Sequence, residues 1–151
     1  METNENAVEV LNDLIEINND RITGYKRAID ETESEDSDLK SIFAQMASES
    51  GQYKQSLTAL VTSLGGEPET GTTASGKIYR AWMDVKATFS GHSRKSILEN
   101  CEFGEDAAQK AYRTALDDDG MPASAREVVM QQQQALKLSH DKIKMMRDAQ
   151  S

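Results

Sequence analysis

Apolar side chains recur at threes and fours along most of the chain, the period of a helix with one buried face. From Asn6 to about Glu33 the stripe runs through Leu11, Leu14, Ile15, Ile22, Tyr25 and Ile29, with Asn18 on the same line. A second stripe runs from Leu39 to Leu64 through Ile42, Phe43, Met46, Tyr53, Leu57, Leu60, Val61 and Leu64. Between them the polar run Ser34 to Asp38 forms a short turn, with Asp36 or Ser37 placed to cap the second helix, so the two helices must pack antiparallel. Gly65 and Gly66 stop the second helix and open a connection to Gly76 that contains Pro68.

The next amphipathic piece, Lys77 to Phe89, carries Ile78, Trp82, Val85 and Phe89. At about 1.5 Å per residue it is too short to span a bundle of the longer helices, and it reads as a short helix within a crossover. The third long helix starts near Ser93 and ends at the acidic run Asp117, Asp118, Asp119 before Gly120. Acids at a helix carboxyl end oppose the macrodipole, which predicts a frayed last turn. Ser96 and Glu99 have the spacing of a capping box should the helix begin slightly later. Pro122 fits the first turn of a last helix reaching about Ala149 through Val128, Val129, Gln132, Leu136, Ile143 and Met146, and Ser124 with Glu127 repeats the box spacing. The run Gln131 to Gln134 reads as a polar turn of that helix, solvated or between helices.

No alternating strand pattern interrupts these stripes. Four long helices, joined by short connections at either end and one long connection in the middle, predict an all-α, ferritin-like, up-down-down-up bundle in a single domain spanning residues 1–151.

The chemistry begins on the third helix, where Glu105 interrupts the apolar stripe between Cys101 and Ala108 and Glu102 lies near the same face. A buried ionised carboxylate needs a donor, a cation or a metal. Dinuclear iron and manganese bundles take a Glu from each of two helices and a Glu-x-x-His from each of the other two. Here the first helix presents Asn18, with Glu16 and Asp20 expected to point away. Glu49 is followed by Gln52 where a His is required, and His140 is preceded by Lys137 where a Glu is required. The candidate metal ligands are therefore Glu49, Glu102, Glu105 and His140, with iron or manganese as the metals such a set would take, and both Glu-x-x-His patterns are broken.

The competing reading makes the same side chains a hydrogen-bonded polar layer, with Arg21, Lys54 or Lys137 supplying the cation and a stripe tyrosine, Tyr25, Tyr53 or Tyr112, donating to Glu105. Gly104 beside Glu105 suggests a close helix approach. His92, in a Ser-Gly-His-Ser turn, reads as a surface or capping residue. Cys101 has no neighbouring His and reads as a small core residue, and a single cysteine allows no internal disulfide.

The formal charge of -9, from 26 acidic against 17 basic residues, argues against nucleic acid and anionic membrane as partners. The polar, acidic start has no signal-peptide character and no apolar run approaches a membrane span, so the expected compartment is the cytoplasm. Aromatic residues are only 5% and methionines number 7, which suits an aliphatic helical core. Met145, Met146 and Trp82 suggest self-association or a protein partner.

The string GKIYRAWMDVKATFSGHSRKSILENCEFGEDAAQKAY, with LGGEPE upstream and LNDLIEINNDRITGYKRA near the start, resembles an uncharacterised bacterial family of ferritin-like four-helix-bundle proteins carrying a domain of unknown function. The elements that carry the likeness are Gly65 to Pro68, Arg80 with Trp82 and Asp84, and Glu102, Gly104, Glu105 and Asp106 with Tyr112. The resemblance implies the bundle with an extra short helix in its crossover, and no activity or catalytic residue. The sequence as a whole favours a binding or assembly protein with a buried carboxylate layer, and leans against an enzyme. The alternative is a di-metal carboxylate protein handling iron or acting as an oxidase.

Overall fold

Each of the four long stripes winds into an α-helix in the computed structural model, which describes residues 2–69, 93–118 and 120–150. The helices are α1 (Glu2–Glu31), α2 (Ser37–Ser63), α3 (Arg94–Leu116) and α4 (Ala123–Asp148). The expected short helix from Lys77 to Phe89, and His92 with it, lies outside the described residues.

Cross-helix hydrogen bonds fix the directions. Asn18 meets Tyr112 while Arg21 meets Glu105, so α1 and α3 are antiparallel. Gln132 reaches Tyr53 while Ser139 reaches Glu49, so α2 and α4 are antiparallel as well. With α1 and α2 also antiparallel across their short turn, the order is up, down, down, up. The closest packing is within the pairs α1/α2 and α3/α4, then between α1 and α3, whereas α2 and α4 touch sparingly.

One hydrophobic cluster is shared by all four helices. Leu11, Leu14, Ile15, Leu39, Phe43, Leu57, Ile97, Leu98, Leu136 and Ile143 are at most 1% exposed. Complete burial of such a side chain contributes about 1.5–3 kcal/mol. Tyr25 and Phe43 tilt against each other with ring centroids 5.6 Å apart and hold α1 to α2.

The α1 face is wider than one stripe. Ile17, Asn18, Asn19, Asp20 and Arg21 are all buried, because α1 packs against two neighbours at once. The expectation that Asp20 points away is thus corrected, since its side chain is fully buried.

The helix ends show where local chemistry is redirected. Asp36 holds the cap position of α2, but its side chain makes no cap hydrogen bond and pairs instead with Arg94 at 3.2 Å; Arg94 also grips Asp38 at 2.7 Å. The start of α3 is thereby tied to the first turn. Ser93, not Ser96, caps α3 by accepting from the Ser96 amide at 3.1 Å. Pro122 sits at the cap position of α4, which has no side-chain cap, so Ser124 and Glu127 lie inside the helix and make no box. The expected fraying of α3 is countered by Arg126, whose guanidinium donates to the carbonyls of Leu116 at 2.6 Å and Asp118 at 2.8 Å.

At the far end, Gly65 adopts a φ of +84°, open chiefly to glycine, and a Cβ on Gly66 would sit 2.6 Å from Val8 Cγ1 on α1. Asn12 then clamps the segment after Gly66, donating to Glu67 O at 3.0 Å and accepting from the Glu69 amide at 2.8 Å.

Candidate functional site

Inside the bundle, Glu105 is met by an arginine. Arg21 on α1 donates from Nε to Glu105 Oε1 at 2.6 Å and from Nη2 to Oε2 at 3.2 Å, with each side chain 1% exposed. The remaining guanidinium hydrogens go to α2, with Nη1 donating to Met46 O at 3.0 Å and Ser50 Oγ at 2.8 Å. The Tyr25 ring lies 5.2 Å from the guanidinium carbon. Burial alone would lower the pKa of Arg21, but the Glu105 carboxylate outweighs it and raises the value above the ordinary one. Burial first, and then the Glu105 charge, push the Tyr25 hydroxyl and the Cys101 thiol up. Cys101, 3% exposed, is therefore a core thiol rather than a thiolate.

Next to this ion pair a chain of neutral hydrogen bonds crosses all four helices. Asn18 Nδ2 on α1 donates to Tyr112 Oη on α3 at 2.8 Å, and Tyr112 donates to Gln132 Oε1 on α4 at 2.7 Å. Gln132 Nε2 then donates to the Tyr53 carbonyl on α2 at 3.2 Å. Asn18 Nδ2 also donates to Leu14 O at 2.9 Å, and its Oδ1 is buried without a hydrogen-bond partner among the described residues. The expected tyrosine donor to Glu105 is not Tyr112, whose hydroxyl is spent on Gln132.

A second cluster lies at the α3/α4 seam, toward solvent. Glu102 and Asp106, four apart on α3, share a helix face, and His140 of α4 inserts between them. His140 Nε2 is 2.6 Å from Asp106 Oδ1 and 3.3 Å from Glu102 Oε1, while Nδ1 is 3.1 Å from Asp141 Oδ1. Arg147 Nη1 holds the other Glu102 oxygen at 3.1 Å. Partial burial opposes charging of His140, but Asp141, Asp106 and Glu102 outweigh it and raise its pKa.

The four sequence-predicted ligands thus fall in three places. Glu102 and His140 meet, Glu105 is held by Arg21, and Glu49 accepts from Ser139 Oγ at 3.2 Å on the α2/α4 side. Lys137 pairs with Asp141 at 3.0 Å on the surface, and of the three candidate cations it is Arg21 that meets Glu105. Asp106 was missing from the predicted ligand set. Its signal was the four-residue spacing from Glu102, which a scan for Glu-x-x-His passes over.

The interior residues do not fit a dinuclear carboxylate centre. Both Glu105 oxygens are bound to a guanidinium that stays protonated in proteins, Asn18 stands where α1 would supply a carboxylate, and Glu49 turns to Ser139.

The fold is that of a ferritin-like four-helix bundle. The chain belongs to the family described as Domain of unknown function (DUF2383), whose pattern matches residues 6–118. Among solved structures it is similar to a mutant of Mycobacterium smegmatis Dps1, with a TM-score of 0.80, 10% sequence identity and 97% of each chain covered. At that identity the likeness concerns the fold alone. No curated protein matches the sequence. Among the described residues no helix is long and apolar enough to cross a membrane.

Proposed function

We propose that this protein is a non-enzymatic, cytoplasmic ferritin-like bundle that works by binding or assembly through its outer surface. The observation that carries the reading is the Arg21–Glu105 ion pair, which among the described residues occupies both oxygens of the buried carboxylate with a permanent cation, where a metal would otherwise be held. Function is thereby moved to the exterior. Leu138 and Met145, seven residues apart on one face of α4, are 72% and 67% exposed, and apolar side chains placed in this way suit contact with a second copy or another protein. The acidic charge argues against nucleic acid and anionic membrane as the surface bound.

The test combines sedimentation velocity with an iron(II) oxidation assay. The expected result is a concentration-dependent oligomer weakened by Leu138→Asp, with oxidation no faster than in buffer. A strict monomer that accelerates iron(II) oxidation, with the acceleration lost in Glu105→Gln at unchanged melting temperature, would reverse the reading in favour of the di-metal protein.

A further inference from the structure

The geometry points to a mononuclear divalent transition-metal site at the α3/α4 seam, with His140 Nε2, Asp106 and Glu102 as its three protein ligands. These donor atoms lie within 4.8 Å of one another. A first-row divalent ion, bonded at about 2.0–2.2 Å to nitrogen and oxygen, holds neighbouring donors about 3.0–3.5 Å apart. Glu102 Oε1 is already at that separation from Nε2, at 3.3 Å, and Asp106 Oδ1 at 2.6 Å needs to widen by less than 1 Å. Asp106 is 51% exposed and sits on a side chain free to make that move.

Two further features separate this group from a plain ion-pair cluster. Nε2 is buried and lies 2.6 and 3.3 Å from two carboxylates, yet it makes no well-formed hydrogen bond to either. A buried imidazole nitrogen left without a hydrogen bond beside two carboxylates is a donor that a shared metal ion would satisfy. On the opposite side of the ring, Nδ1 faces Asp141 Oδ1 at 3.1 Å. A carboxylate there holds the proton on Nδ1 and leaves the Nε2 lone pair for a metal, the arrangement most metal-binding histidines use.

Arg147 occupies only Glu102 Oε2 and so orients Oε1 toward His140. The donor set, one imidazole and two carboxylates, suits Zn²⁺, Co²⁺, Mn²⁺ or Fe²⁺ rather than soft Cu⁺ or hard Ca²⁺. The exposed side of Asp106 leaves room for water to complete the shell. This site is separate from the bundle interior and does not depend on the reading proposed above.

The competing occupant of the seam is a proton, giving an imidazolium held among three carboxylates. Cobalt(II) distinguishes the two, because its visible absorption reports bound ligands. Chelator-stripped full-length protein titrated with Co²⁺ and, by calorimetry, with Zn²⁺ should take up one equivalent. His140→Ala and Asp106→Asn should each weaken binding at least tenfold while circular dichroism stays unchanged. Glu49→Gln and His92→Ala should leave it intact. Binding no tighter in the parent than in His140→Ala, or binding that is lost in His92→Ala, would overturn the site. Loss in Glu49→Gln would instead place the metal in the bundle interior, and would overturn both this site and the proposed static core.

Discussion

Arg21 and Glu105 are bound through two hydrogen bonds across the α1/α3 interface, each side chain 99% withdrawn from solvent, with the guanidinium's other hydrogens spent on α2. Removing one charge strands the other in a low-dielectric interior, which costs about 3–5 kcal/mol. Arg21→Met and Glu105→Leu should therefore each lower stability by about that amount. The double variant should recover most of the loss, because two apolar side chains need no partner. A double-mutant cycle by urea denaturation measures this, and additive losses would show that the pair is not coupled.

Tyr112 and Gln132 give a smaller but sharper test. Tyr112→Phe removes the hydroxyl that accepts from Asn18 and donates to Gln132, leaving Gln132 Oε1 on α4 without that donor and Asn18 Nδ2 on α1 with its bond to Leu14 O alone. The expected cost is about 1–3 kcal/mol. Replacing Gln132 as well, with Leu, should add less than the sum of the two single changes.

Gly65 and Gly66 should respond differently to alanine. Gly65→Ala strains a backbone at φ +84° without meeting any neighbour, for a loss of about 1 kcal/mol. Gly66→Ala presses a methyl group onto Val8, and Val8→Ala should rescue it while leaving Gly65→Ala unchanged. Thermal melts of the four variants suffice to decide the matter.

Glu16 sets a pH dependence. Partial burial, followed by the charges of Glu69, Asp13 and Asp20, raises its pKa from 4.5 to about 7. The folded state holds this proton more tightly than the unfolded chain. The resulting stabilisation is complete below about pH 4.5 and is lost as pH rises through 7. Glu16→Gln should thus match the parent at pH 4 and exceed it at pH 8, by less than about 1 kcal/mol because solvent screens a partly exposed group. A difference in melting temperature that does not vary with pH would contradict this.

The four long helices, their order and their directions were legible because period and turn chemistry are local properties. Leu11, Phe43, Leu57 and Leu136 all fall where the stripes put them. Asp20 escaped because a stripe count assumes one buried face, whereas α1 is buried on two. Glu105 announced a buried carboxylate, and Arg21 was among three cations that could answer it. Choosing Arg21 over Lys54 and Lys137 required knowing which turn of α1 lies opposite Glu105, a fact set by the angle and offset of two helices far apart in sequence. The same holds for Asp106, whose nearness to His140 comes from the α3/α4 packing.

A core of aliphatic side chains alone tolerates sliding, since one helix can shift by a turn, about 5.4 Å, and find new apolar neighbours. The polar chain from Asn18 through Tyr112 and Gln132 to Tyr53 does not allow this, because every one-turn shift would part several hydrogen bonds and leave Arg21 facing hydrocarbon. The layer thus acts as a notch that holds all four rods at one axial setting, so that surfaces displayed at the two ends of the bundle keep a fixed spacing.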